Sequence, residues 1–150
     1  MGFRQRQHDK VHQRAVEYLQ HRLVPGEQVR GVTFGQARPR RWLGLELMFG
    51  ALAVLFATTY YYMVLTDQRL FMLKAGKGRG RPNDVVWAEQ HVGIAVERFK
   101  RGRVWMLLYM RRIGDGNVIR FRAHRSSPGA TDRVTEAAEA LRQARAGLPT

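Results

Sequence analysis

The candidate chemistry of this sequence is the binding of anions by clustered basic side chains. Lysine and arginine number 26 against 12 aspartates and glutamates, which gives a formal net charge of +14. An excess of this size favours an anionic partner, either nucleic acid or a lipid headgroup surface. Of the 26, 22 are arginine, a bias that a GC-rich genome produces without any function. The net charge alone therefore does not indicate a function, and the positions of the basic residues in the sequence have to be considered.

Three groups of basic residues are predicted to contact phosphates. They are Arg38, Arg40 and Arg41; Lys74, Lys77, Arg79 and Arg81; and Lys100, Arg101 and Arg103. The second group lies in a loop with glycines at positions 76, 78 and 80, but the residues after it predict a strand. A nucleotide-binding glycine loop requires a helix at that point. We therefore expect cations that face phosphates, with a merely solvated loop as the alternative.

Residues 42–57 (WLGLELMFGALAVLFA) form the most apolar stretch, with Glu46 as its only ionisable residue. As a helix this stretch would reach about 24 Å, short of the roughly 30 Å hydrocarbon core of a bilayer. Basic residues flank both ends, so no charge asymmetry favours spanning. We expect contact with a membrane interface, with packing on the protein or on a second copy as the alternative and spanning third. The contact residues would be Trp42, Leu43, Leu47, Phe49, Leu52, Leu55 and Phe56.

The sequence offers no set of residues for catalysis or for a metal. It contains no cysteine, which excludes thiol nucleophiles and thiolate metal sites. His8 and His12 have the spacing of two metal ligands on a helix, and Asp9 is adjacent in the sequence, but no third ligand is placed nearby. We expect no enzymatic activity, no cofactor and no metal.

Hydrophobic periodicity predicts the elements that position these residues. Helical spacing predicts an amphipathic helix over 7–23, which ends at Val24-Pro25-Gly26. Alternating, β-branched and aromatic runs predict seven strands. Their ranges are 27–37, 58–65, 70–74, 84–90, 92–99, 104–112 and 118–122. A last helix is predicted over 131–146.

These elements define a mainly β fold with helices. We divide the chain into an N-terminal helix, 1–23, and one domain, 24–150, which carries the apolar helical insertion 42–57 after its first strand. The apolar face of the last helix (Val134, Ala138 and Leu141) is expected to be buried. The polar start of the chain predicts no secretory signal.

The order of elements and several short motifs resemble the bacterial pleckstrin-homology-like domains. Residues 62–73 (YMVLTDQRLFML) resemble the LTDxRL hairpin of that family, and Pro25-Gly26-Glu27 resembles the PGE that opens its first strand. Trp87 and the turn Asp115-Gly116 also fall where the family places a tryptophan and a hairpin. The resemblance covers about residues 23–147. It implies a partly open seven-stranded barrel plugged by its C-terminal helix.

The residues of the hairpin motif have a structural interpretation. Asp67 and Thr66 are expected to hydrogen bond the turn backbone, since side chains of these types favour turns in this way. Arg69 is expected to pair across the turn.

The placement of the basic groups follows from the expected meander. Because alternate connections emerge at one rim, the three basic groups are expected to share it. If a sheet switch near Gln90 breaks this alternation, Arg111 and Arg112 would replace the last group.

The resemblance implies a non-enzymatic membrane-associated or scaffold module. We expect a cytoplasmic protein, peripheral at the inner face of the cell membrane, that binds anionic lipid or a membrane protein. One alternative is a homo-oligomer that uses the apolar helix as its interface. Another is a soluble nucleic-acid-associated protein whose strand aromatics stack on bases. Those aromatics are Tyr60, Tyr61, Tyr62, Trp87, Trp105 and Tyr109.

Overall fold

The computed structural model describes residues 3–37, 59–76, 80–127 and 129–148. These residues form two α-helices, α1 (Phe3–Leu19) and α2 (Ala130–Ala146). They also form seven strands: β1 (Val29–Ala37), β2 (Thr59–Thr66), β3 (Arg69–Ala75), β4 (Pro82–Gln90), β5 (Ile94–Arg101), β6 (Trp105–Arg112) and β7 (Val118–His124). A single 3-10 turn, His91–Gly93, links β4 to β5. The predicted fold class, mainly β with helices at both ends of the chain, is confirmed.

The strands form one antiparallel sheet in the order β4-β3-β2-β1-β7-β6-β5. We call β1–β4 the first half of this sheet and β5–β7 the second half. The halves join where Gln36 pairs with Arg122 and Ala37 pairs with Phe121. A glycine at position 35 permits this join, since a Cβ there would lie 2.4 Å from the Arg122 carbonyl oxygen and 2.5 Å from the Phe121 ring.

The inner faces of the two halves share one hydrophobic core. Met63 and Met72 of the first half belong to the same buried cluster as Met106, Leu108 and Phe121 of the second. Side chains 3.3 Å apart along a strand alternate between its two faces, so Met106, Leu108 and Met110 of β6 enter this cluster while the residues between them do not. The sheet is therefore folded onto itself as a partly open barrel.

The outer face of the first half is buried as well, because α1 lies on it. Ala15 and Leu19 of α1 are fully buried in a second cluster with Val64, Phe71 and Leu73. Burial on both faces explains why β2 and β3 are almost continuously apolar, whereas a half-exposed strand alternates.

The C-terminal helix packs into the inner core as predicted. Val134, Ala138 and Leu141 are fully buried in the inner cluster, and α2 contacts β1, β5 and β6. Its Arg133 Nη1 donates a hydrogen bond of 2.9 Å to the Val32 carbonyl oxygen, near the start of β1. The helix therefore closes one end of the barrel.

Some boundaries differ from those predicted. Helix α1 begins at Phe3, not at residue 7. It ends at Leu19, not at residue 23, because turns that include Gly26 at φ 84° lead from it into β1. Strand β5 begins at Ile94 because residue 92 belongs to the 3-10 turn. The predicted apolar insertion 42–57 lies outside the described residues.

Candidate anion-binding surfaces

The two ends of the barrel differ in what they carry. One end, which we call the helix end, holds α2 and the first residues of β1. At the other end, the loop end, Ala37 pairs with Thr59 and Ala75 pairs with Pro82. The connections after β1 and after β3 therefore both begin and end there.

Strand direction places the remaining connections. In a simple up-and-down meander the first and seventh strands would run in the same direction, but β1 and β7 are antiparallel. The alternation breaks at His91–Gly93, so β4 and β5 run the same way along the sheet. The connection after β5 lies at the helix end, whereas the turn after β6 lies against the β4–β5 turn, where the Ile113 amide donates to the Gly93 carbonyl oxygen at 2.9 Å.

The predicted basic groups are thereby divided between the two ends. Lys74 and Arg81 are exposed at the loop end, next to the paired residues Ala75 and Pro82. Arg38, Arg40, Arg41, Lys77 and Arg79 lie outside the described residues. The described residues that flank them, Ala37, Gly76 and Gly80, are at or beside the loop end.

The third basic group lies at the opposite end. Lys100, Arg101 and Arg103 are exposed where β5 turns into β6, and Arg101 Nη2 donates to Thr135 Oγ1 of α2 at 3.2 Å. The prediction of one shared rim is wrong for this group. The reason is the break in alternation at His91–Gly93. The alternative, that Arg111 and Arg112 replace this group, stays a prediction.

Arg111 and Arg112, at the end of β6, are paired with acids. Arg111 Nε lies 2.8 Å from Glu97 Oε1, and Arg112 forms an ion pair with Asp115. The Arg112 side-chain hydrogen bond, followed by the Asn117 backbone amide, holds the pKa of Asp115 well below its ordinary value. These two arginines consequently add less positive potential than unpaired cations would. At the loop end, Lys74 also has an acid beside it, because Asp84 is its cross-strand partner.

The predicted membrane-contact residues cannot be placed in the fold. Trp42, Leu43, Leu47, Phe49, Leu52, Leu55 and Phe56 lie outside the described residues. The residues that bracket this stretch, Ala37 and Thr59, are cross-strand partners at the loop end. Among the described helices none is long and apolar enough to cross a membrane.

The hairpin motif forms a buried polar network. Arg69 donates from Nε to Glu27 Oε1 at 3.1 Å and from Nη2 to Glu27 Oε2 at 2.5 Å. The Thr66 hydroxyl donates to Glu27 Oε1 at 2.6 Å and accepts from the Arg69 amide at 2.8 Å. Arg69 thus pairs with Glu27, not across the turn. The two short motifs Pro25-Gly26-Glu27 and LTDQRL (65–70) meet in this network, which gives their polar residues a structural role.

The network also fixes the charge of Glu27. Burial alone would raise the pKa of this carboxyl, but hydrogen bonds from Arg69, Thr66 and the Val24 amide lower it to about 2. Asp67 was predicted to hydrogen bond the turn backbone. Its Oδ1 instead accepts a hydrogen bond from the Gln28 amide at 3.0 Å, next to Glu27. Glu27 is therefore an ionised, structural residue.

The aromatic residues proposed for base stacking separate into two groups. Tyr62 and Trp87 are buried, and the Tyr62 hydroxyl donates to the Gly80 carbonyl oxygen at 2.7 Å. Tyr60 stacks on Phe34, with ring centroids 5.5 Å apart. Trp105 and Tyr109, in contrast, lie on the outer face of the second half, because Met106, Leu108 and Met110 between and beside them point into the core.

That outer face is a basic surface on which sequence reasoning had named Lys100, Trp105 and Tyr109 but missed Arg98, Arg120 and Arg122. Arg98 and Arg120 are the cross-strand neighbours of Tyr109, and Lys100 and Arg122 are the neighbours of Leu107. The missed signal was alternation: in β7 the arginines at 120 and 122 separate Ile119, Phe121 and Ala123, which all face the core. We call this surface the arginine–aromatic face.

The described parts of the chain contain no cluster of three or more side chains suited to hold a metal ion. No family model matches the sequence, and no curated protein matches it significantly.

Proposed function

We propose that this protein is a non-enzymatic, pleckstrin-homology-like module that docks its loop end on an anionic membrane surface. The observation that carries the proposal is the asymmetry of the barrel: α2 occupies one end, while exposed Lys74 and Arg81 lie at the other. The cellular site that this proposal implies is the inner face of the cell membrane.

Chain continuity strengthens the electrostatic argument. The stretch 38–58 departs from and returns to the loop end, and residues 77–79 do the same. These stretches contribute Arg38, Arg40, Arg41, Lys77 and Arg79 to the sequence near this end. Each basic residue close to an anionic leaflet contributes about 1 kcal/mol to binding. Seven such residues would suffice for reversible docking without a membrane-spanning helix.

The apolar stretch 42–57 supplies the second part of the proposal. Arginines followed by a tryptophan suit a membrane interface, where cations meet headgroups and the indole lies at the boundary. A hydrophobic contact of this kind resists salt, whereas the basic contacts are weakened by it. Docking would therefore have a salt-sensitive and a salt-resistant component.

The test is co-sedimentation with phosphatidylglycerol-containing vesicles, with pure phosphatidylcholine vesicles as the reference lipid. We expect the variant with Lys74, Lys77, Arg79 and Arg81 replaced by alanine to lose most of its binding at low salt. The matched control replaces four exposed cations outside the loop end, Arg30, Arg103, Arg142 and Arg145, and should retain most of it. Equal losses in both variants would contradict a specific loop end.

A second variant tests the apolar stretch by replacing residues 42–57 with a short Gly/Ser linker. If the proposal is right, this variant stays folded and loses the salt-resistant fraction of vesicle binding. A protein that never binds anionic vesicles, and whose oligomeric state changes when the stretch is removed, would instead be a homo-oligomer built through that stretch.

A further inference from the structure

The arginine–aromatic face has a regular chemical pattern. Its central strand, β6, presents Trp105, Leu107 and Tyr109 outward. On one side β5 presents exposed Arg98 and Lys100. On the other side β7 presents Arg120 and Arg122. An apolar and aromatic stripe is thus flanked on both sides by a row of cations.

Three arginines of this face lie against its aromatic rings. The guanidinium carbons of Arg98 and Arg120 lie 6.0 and 5.3 Å from the Tyr109 ring centroid, so two arginines share one ring. Arg122 lies 4.8 Å from the Trp105 ring centroid, and the His124 ring packs edge-on against Trp105 at 5.0 Å. Stacking of this kind orders an arginine and leaves its N–H groups able to donate hydrogen bonds to an oxyanion.

The three strands of the second half contain one acidic residue, Glu97. It lies at the bulge of β5, and Arg111 binds it at 2.8 Å. The like charges of Arg98 and Arg120 on either side of Tyr109 repel each other. An anion bound across the face would relieve this repulsion.

We propose that the arginine–aromatic face binds single-stranded nucleic acid independently of the loop end. Proteins that bind single strands combine a cationic track for the phosphates with aromatic rings on which bases stack. Cations two residues apart on one strand are separated by about 6.6 Å, which suits consecutive phosphates of an extended strand. Trp105 and Tyr109 lie beside these rows, where unpaired bases can reach them.

The geometry favours a single strand over a lipid surface. The arginine–aromatic face lies on the side of the barrel, whereas the loop end is one of its ends. A flat bilayer that contacts the loop end therefore does not also lie along the arginine–aromatic face. A duplex would offer its phosphates but keep its bases stacked inside, and the rings would gain nothing. Single-stranded oligonucleotides should therefore bind more tightly than duplexes of equal charge.

The first experiment measures the binding of fluorescein-labelled oligothymidylate to the full chain by fluorescence anisotropy over a range of salt concentrations. Replacing Arg98, Lys100 and Arg120 with alanine should weaken binding at least about tenfold and reduce the salt slope by about 2, since each phosphate contact on a single strand contributes about 0.7. The matched control, R30A/R142A/R145A, removes the same charge outside the face and should lose far less. Equal losses in the two triple variants, or no binding by the unmodified protein at low salt, would overturn the proposal.

The second experiment tests the rings. Tyr109→Leu keeps an apolar residue in β6 and should weaken oligothymidylate binding about tenfold, because a stacking partner is lost. Trp105→Phe should keep most of the affinity but remove most of the tryptophan quenching that the oligonucleotide causes. If Tyr109→Leu binds as tightly as the unmodified protein, the face is a diffuse charge surface and the proposal is wrong.

The same variants distinguish this proposal from the membrane function. The R98A/K100A/R120A variant should bind phosphatidylglycerol vesicles nearly as well as the unmodified protein, whereas the loop-end variant should keep its oligonucleotide binding. A loss of vesicle binding in the face variant, with oligonucleotide binding intact, would assign the face to lipid and overturn the inference.

Discussion

The two halves of the sheet have the same pleat and contribute to the same inner core, but their outer faces differ in chemistry. In the first half, Tyr62, Val64, Phe71 and Leu73 point outward and are buried beneath α1. In the second half the outward positions hold arginines, a lysine and half-buried rings. The outer face of the first half is therefore part of the core, whereas the outer face of the second half is a partly exposed basic surface.

The difference shows how the sequence pattern reports a covering element. A strand covered on both faces needs apolar residues at every position, whereas a strand covered on one face alternates. Strands β2 and β3 follow the first rule, and β7 follows the second. The position of α1 can therefore be inferred from β2 and β3 as well as from its own periodicity.

The largest expected effect contrasts one outward leucine from each half. Leu73→Asp should cost about 4 kcal/mol or more, because it buries an unpaired charge beneath α1. Leu107→Asp, next to Lys100 and Arg122, should cost under about 1 kcal/mol, as surface substitutions usually do. Urea denaturation of both variants measures the contrast. Equal costs would mean that the two outer faces are buried alike.

The fold followed from local patterns, but the candidate surfaces depended on pairings between distant residues. The seven strands and the apolar face of α2 were predictable because side-chain periodicity is local. The partner of Arg69 was not, because Glu27 is far away in the sequence and reaches Arg69 only when β1 pairs with β2.

The division of the basic groups between the two ends of the barrel could not be predicted from the sequence either. It depends on the antiparallel pairing of β1 with β7, and no residue in either strand signals that direction. Similarly, Arg98 faces Tyr109 only because of an irregularity between Val96 and Arg98 that shifts the register of β5. The residue types indicated an anion-binding protein, but which basic residues lie together could be determined only from the fold.

The join between the halves provides the second prediction. Gly35→Ala should cost about 3 kcal/mol, because the new Cβ would lie 2.4 Å from a backbone oxygen that can move only with β7. Gly114→Ala is the matched control, since a Cβ there meets nothing within 4 Å, and it should be near neutral. The loss of thermal stability measures both. A tolerated Gly35→Ala would show that the two halves do not depend on this close approach.

The third prediction concerns acid sensitivity, which should arise in the first half. The pKa of Glu27 falls from 4.5 to about 2 on folding, so its contribution is present above about pH 4.5 and is lost as the pH falls toward 2. That contribution amounts to about 3 kcal/mol at most. Denaturation at a series of pH values should show this loss in the unmodified protein and a much flatter profile in Glu27→Gln.

The second half offers the control for this measurement. Asp115 also has a pKa lowered by an arginine, but it is exposed in the turn after β6, where solvent screens the pair. Asp115→Asn should leave the acid profile close to that of the unmodified protein. A flattened profile in Asp115→Asn together with an unchanged one in Glu27→Gln would reverse the assignment.

The smallest expected effect lies on the arginine–aromatic face itself. Tyr109→Leu should change the free energy of unfolding by less than about 1 kcal/mol, because the ring contributes cation–π contacts at a partly exposed site and no core packing. A double-mutant cycle with Arg120→Ala should give a coupling of about 0.5–1 kcal/mol. A loss of several kcal/mol in Tyr109→Leu would place the ring in a packed interior. The outer face of the second half would then be covered like that of the first, and the contrast between the halves would disappear.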